Sequence, residues 1–193
     1  MLGRNILRLC LGVVTMAAVS GCEPEGAATV AEAHESLRTA VTEKDPVRFY
    51  YSLDRESQWS VITIQTYYRE VRAAVLGHYP KETHPRELER TLGAELRRPA
   101  EFFAVQAKRR RWLEACTGCS EPASRIEERG LAATVYTTGG KELPFARMAR
   151  TGWGYAGLRK ELEDLKRQAF HDAQTAKENA RLYEQARAKG GTP

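Results

Sequence analysis

Residues 131–158 read LAATVYTTGGKELPFARMARTGWGYAGL, and this stretch decides the fold class. Leu131 to Thr138 holds Val135, Tyr136 and several threonines, residue types that suit a pleated, half-buried surface. Gly139-Gly140 separates that run from Lys141 to Ala149, which predicts a β-hairpin. Leu143, Phe145 and Arg147 fall on one face of the second strand. Pro144 lacks a backbone donor, so it predicts an edge position or a local irregularity. A turn at Thr151-Gly152 leads to Trp153-Gly154-Tyr155, a short strand with both aromatics on one side. Just upstream, Ser124 to Arg129 reads as a further, exposed strand. About four antiparallel strands are expected.

Outward from the sheet the pattern turns helical on both sides. Val30, Ala33, Leu37, Ala40 and Val41 recur at the spacing of one helical face. Lys44-Asp45-Pro46 interrupts that helix and starts another, with Asp45 as cap and Pro46 in the first turn. Phe49, Tyr50 and Leu53 supply its buried face. Val61, Ile64, Tyr68, Val71 and Val75 mark a longer helix that Gly77 and Pro80 stop. Further helices are predicted from Pro85 to Leu92, and from Pro99 through Phe102, Phe103, Val105, Trp112 and Leu113. After the sheet, Leu158 to Lys189 is one long helix. Its apolar seam opens with Leu158, Leu162, Leu165 and Ala169 and continues as Ala173, Ala176, Ala180 and Tyr183, without a clean heptad. A helix covering or extending from the domain is favoured over a coiled-coil dimer. The sequence does not specify an oligomeric state. The fold class is α+β: a helical N-terminal half packed on a curved antiparallel sheet, followed by a long C-terminal helix.

The order of these elements, with TEKDPVRFYYSLD at residues 42–54 and the hairpin stretch quoted above, resembles small lipoproteins of the NTF2-like, or cystatin-like, superfamily. That resemblance covers residues 30–157 and implies a sheet curled into a cone around helices, in some members with a pocket. It implies that Tyr50, Asp54, Tyr67 and Tyr68 could line such a cavity, although core packing or surface hydrogen bonding is the favoured reading of these aromatics. Some enzymes of the superfamily use an Asp–His pair inside the cone, but no two positions here match it. The long helical middle from Ser57 to Cys116 departs from the family pattern.

The first 22 residues carry an address. Arg4 and Arg8 precede an apolar run from Leu9 to Val19 that is short for a membrane span. The run ends in Val19-Ser20-Gly21-Cys22, which resembles the lipobox of bacterial lipoproteins. The resemblance implies cleavage before Cys22, a diacylglyceryl group on its thiol and an acyl group on its freed amine. Residues 1–21 are then a signal peptide, 22–29 an acylated cysteine and flexible tether, 158–189 the C-terminal helix and 190–193 a fraying tail. Two or more acyl chains give stable anchoring to membrane lipid. Glu23, rather than the aspartate associated with inner-membrane retention in enterobacterial lipoproteins, points to the outer membrane, facing the periplasm.

Of the 193 residues, 30 are basic and 25 acidic, a formal charge of +5 that falls to +3 once Arg4 and Arg8 leave with the signal. Lys108-Arg109-Arg110-Arg111 concentrates that excess. For an exported chain without a recognisable reader, nucleic acid is not an expected partner. Anionic lipid headgroups or wall polymers fit the run better, with a solvated helix edge as the alternative. An envelope protein or peptidoglycan is the expected class of partner.

Chemistry-bearing motifs are sparse. Cys116-Thr117-Gly118-Cys119 holds the two thiols that remain once Cys10 is removed and Cys22 acylated. In an oxidising envelope the pair reads as a structural disulfide. Thiol–disulfide exchange is the alternative, although redox cysteines usually open a helix and this pair follows one; a reduced or metal-holding pair is the third reading. His34, His78, His84 and His171 show no metal-ligand spacing. No nucleophile elbow, phosphate loop or dinucleotide loop is present. The sequence therefore predicts a non-catalytic binding or assembly module with no metal and no cofactor beyond the lipid on Cys22. A small-molecule-binding or catalytic cone and a thiol oxidoreductase remain as alternatives.

Overall fold

Helices pack on one face of a four-stranded antiparallel meander, with strand order β1-β2-β3-β4. The computed structural model describes residues 27–148 and 152–189. The segment read as a signal peptide, Cys22 and residues 190–193 lie outside the described residues.

The N-terminal helices are α1 (Val30–Thr42), α2 (Pro46–Ser52) and α3 (Arg55–His78). Each starts on a side-chain cap. Thr29 and Glu32 form a reciprocal capping box on α1. Asp45 accepts from the backbone of Val47 and Arg48, with Pro46 at the first turn, as the sequence predicts. Asp54 accepts from Ser57 N at 2.9 Å. After α4 (His84–Glu89) comes α5 (Pro99–Arg110). The helix expected to continue through Trp112 and Leu113 instead breaks at Arg111, which adopts the left-handed conformation with φ 57°. The chain restarts as α6 (Trp112–Ala115). The break aims Trp112 inward, where its ring lies 5.1 Å from that of Phe103 and its indole donates to Glu161.

The strands are β1 (Ala123–Arg129), β2 (Ala132–Thr137), β3 (Glu142–Met148) and β4 (Gly152–Tyr155). Val135, Leu143, Phe145, Trp153 and Tyr155 are buried toward the helices. Pro144 does not mark an edge, because β3 runs between β2 and β4. It sits beyond the end of β4, where its carbonyl accepts from Ala156 N at 2.9 Å, so its missing donor interrupts no ladder bond. Gly154 is required by a close approach: a Cβ there would meet the backbone of Asp54 at 2.7 Å.

The last helix, α7 (Arg159–Ala188), runs parallel to α3. Ser60 meets Glu163 near their starts and His78 meets Glu184 near their ends. The main core gathers Phe49, Phe102, Phe103, Trp112, Phe145 and Leu162 between sheet and helices. A second, smaller core of Val71, Ala74, Val75, Tyr79, Ala173, Ala176 and Ala180 lies along the far halves of α3 and α7. Among the described residues no helix is long and apolar enough to cross a membrane.

Candidate functional site

A cleft of about 730 Å³ opens where three segments meet. Val41, Lys44 and Pro46, from the corner between α1 and α2, form one wall. Ala104, Val105, Ala107 and Lys108 on α5 form the other. Leu113 and Glu114 of α6, followed by Cys116, Thr117, Gly118 and Ser120, close one side.

Local sequence explains each wall. Lys44 makes the corner in the left-handed conformation, φ 53°, an uncommon choice for a residue with a Cβ. Its amide donates to Val41 O and the next amide, of Asp45, to Ala40 O, which ends α1 sharply. In the cysteine segment, Gly118 has φ 86°, and a Cβ there would strike Lys141 at 2.7 Å. Cys116 and Cys119 are joined as a disulfide, with Cα atoms 5.5 Å apart. Cys119 is wholly buried, whereas Cys116 is half-buried on the cleft. The Tyr155 hydroxyl lies 3.4 Å from Cys116 Sγ, and burial pushes its pKa up to about 12. That hydroxyl is a permanent donor at any physiological pH, tying the bridge to β4.

Electrostatically the cleft combines apolar walls with cations. Neither the Lys44 nor the Lys108 ammonium has a partner among the described residues. Glu114 supplies the carboxylate on the lining. This is the composition of a site for an apolar body carrying negative charge. No cluster of three metal-capable side chains occurs among the described residues.

The basic run is divided by the structure. Lys108 faces the cleft. Arg109 reaches back to Glu89, donating to its carbonyl at 3.0 Å. Arg110 stands 5.9 Å from the centre of the Trp112 ring, and Arg111 is spent on the backbone break. All four residues of the run are exposed at the C-terminal end of α5.

The tyrosines and aspartate named as candidate cavity-lining residues are not among those lining this cleft. Tyr50 is buried against Phe103, and Tyr68 is buried with its ring edge toward Phe102. Tyr67 packs on Phe170. Asp54 is 1 % exposed and committed to the α3 cap and to an ion pair with Arg159, which also reaches Glu56 at 3.1 Å. The tyrosines are thus engaged in packing and Asp54 in a cap and an ion pair. Lys108 and the cysteine segment were marked in the sequence, but their meeting with Lys44, 64 positions before Lys108, was not, because the sequence gives no sign of that long-range contact.

The four histidines are scattered. His78 pairs with Glu184 at 2.9 Å, and His84 lies 3.1 Å from Tyr79 O. His171 is exposed. His34 is 3 % exposed, its Nε2 has no hydrogen-bond partner and its ring meets Phe145 edge-on. Burial holds its pKa below the usual value, with Glu35 opposing and Arg38 assisting that shift. It is a neutral core residue.

The elements define an α+β domain with helices on one face of the sheet and a cleft on its surface. Comparison with known proteins finds no matching family model, curated protein or solved structure.

Proposed function

We propose that this protein is a lipid-anchored bacterial envelope lipoprotein whose domain is a non-catalytic binding module. The ligand occupies the cleft between α1, α5 and the Cys116–Cys119 segment. The observation that carries the reading is the pairing of apolar walls with the unpartnered ammonium groups of Lys44 and Lys108. Such a site takes an amphipathic anion: an apolar body against Ala104, Val105 and Leu113, its charge between the lysines. The disulfide serves as a clip that holds the site's edge, and the lipobox-like Val19-Ser20-Gly21-Cys22 supplies the anchor.

The finer fold reading is an NTF2-like cone. Its support is the meander order and the helices packed on one sheet face. A second reading, assembly with an envelope protein, draws on Trp59, which is 59 % exposed beside Ile62 on the solvent face of α3. Exposed tryptophans are enriched among interface anchors.

Two measurements test the proposal. Titrating the folded domain with anilinonaphthalene sulfonate, an apolar anion, should give saturable binding. Lys44→Gln with Lys108→Gln should weaken it at least about tenfold, and Ala104→Trp should abolish it by filling the cleft. Binding unchanged by both variants would rule out this site. For the anchor, Cys22→Ala protein should leave the membrane fraction while the domain stays folded. Retention after a high-salt wash would rule out the lipid.

A further inference from the structure

The sheet has two unlike ends. At one, the β1–β2 turn, Arg129-Gly130-Leu131, lies at the same end as the last residues of β3 and the first of β4. Arg147 N donates to Leu131 O at 2.9 Å, Arg147 pairs with Trp153, and Trp153 N donates to Ala27 O at 2.8 Å. Leu131, Arg147, Trp153 and Ala27 thus form one row across the sheet, about 14 Å long at the ordinary strand spacing. Ala27, expected in the flexible tether, is held in that row, and Thr29 is held by the α1 cap.

At the other end is the β2–β3 turn, where Glu121 accepts from Gly139 N at 2.9 Å and Gly118 abuts Lys141. The cleft belongs to this end. Its α1 wall, Val41, is reached only after the helix has run about 17 Å from Val30. Strands of about 20 Å separate the two ends.

The chain from Cys22 to Ala27 spans at most about 17 Å, even fully extended. With Cys22 at the bilayer surface, that reach cannot swing the domain freely. Leu131, at 69 % the most exposed large apolar side chain among the described residues, crowns the tethered end. Arg129, with an 86 % exposed side chain, and the exposed Arg147 flank it. Of the nearby carboxylates, Glu127 is engaged with Arg125 and Arg129, and Glu128 is exposed.

We propose that this end of the sheet, with Leu131 at its tip and Arg129 and Arg147 beside it, is the surface that rests on the lipid bilayer. Leu131 enters the interface, the arginines meet the headgroups, and the cleft opens away from the membrane into the aqueous compartment. The inference rests on acylation at Cys22, and the experiment reads the two separately.

The full lipidated protein is reconstituted into phosphatidylethanolamine–phosphatidylglycerol vesicles carrying a spin-labelled quencher lipid. Either Ala132→Cys, beside Leu131, or Ser120→Cys, on the cleft, carries a fluorophore; both positions are exposed. The label at residue 132 should be quenched several-fold more than that at residue 120, and Leu131→Asp should reduce the difference. Vesicle-bound protein with equal quenching at both positions, or stronger quenching at residue 120, overturns the orientation while leaving the anchor standing. Protein that does not sediment with the vesicles overturns the anchor and the orientation with it.

Discussion

The two cores of this protein are built from different materials. The one beneath the sheet is aromatic: Phe49, Phe102, Phe103, Trp112 and Phe145 are each at most 2 % exposed, with Phe103 against Phe49 and Trp112, Phe102 edge-on to Tyr68 and Phe145 edge-on to Tyr155. The one along the far halves of α3 and α7 is made chiefly of alanines on α7 against Val71, Ala74 and Val75 on α3, with Tyr79 tilted against Tyr183 at its end. Alanine has little apolar surface to bury but lets helix backbones come close, since interaxial distance follows the side chains at the contact. Its border is lined with ion pairs: Lys177 with Glu70 at 2.9 Å, Arg90 with Asp172 at 3.2 Å, and His78 with Glu184. Exposed pairs of this kind contribute little each. The aromatic core therefore holds the fold, while the alanine seam sets the path of an arm that opens more readily.

The largest test of that contrast is Phe103→Ala. Its ring is wholly buried between Phe49, Tyr50 and Trp112, so the loss should be about 3–5 kcal/mol. Denaturant unfolding should show the whole domain destabilised, arm included. A loss confined to the arm would reverse the assignment of the two cores.

Ala173→Leu forces a larger side chain into the seam and should cost about 1–3 kcal/mol. Hydrogen exchange should then rise in the last four turns of α7 and the end of α3, with β2 and β3 amides unaffected. Global acceleration would mean that the two cores unfold as one unit.

A smaller difference is set by pH, through a histidine in the aromatic core. His34 is buried there with its pKa held below 6.5 by burial. Its proton is bound more readily in the unfolded chain, so stability is fully present above pH 6.5 and falls as pH drops toward the folded-state pKa. Unfolding midpoints measured down that range should decline, and His34→Leu should flatten the decline. An unchanged slope in the variant would place the titrating group elsewhere.

Local signals account for what could be read in advance. Caps such as Asp45-Pro46 and the Gly139-Gly140 turn act within a few residues, so their elements appear near the expected positions. The α7 seam was legible for the same reason: Leu162, Leu165, Ala169 and Ala173 repeat at helical spacing and are all buried. The α5 break at Arg111 was not, because nothing nearby disfavours helix; the inward pull on Trp112, through Phe103 and Glu161, comes from distant elements.

Element types, the α+β class and the amphipathic faces were therefore readable from the chain, because each depends on neighbours three or four residues away. Only the tertiary structure decided which polar groups remained available. It committed Asp54 to Arg159 and buried Tyr50 and Tyr68, yet it left Lys44 and Lys108 without partners on either side of a cleft. It also placed Pro144 inside the sheet and set Ala27 and Leu131 in one row at the opposite end from the cleft. The physical reason is that a side chain's freedom is fixed by what packs against it, and those contacts come from residues tens of positions away along the chain.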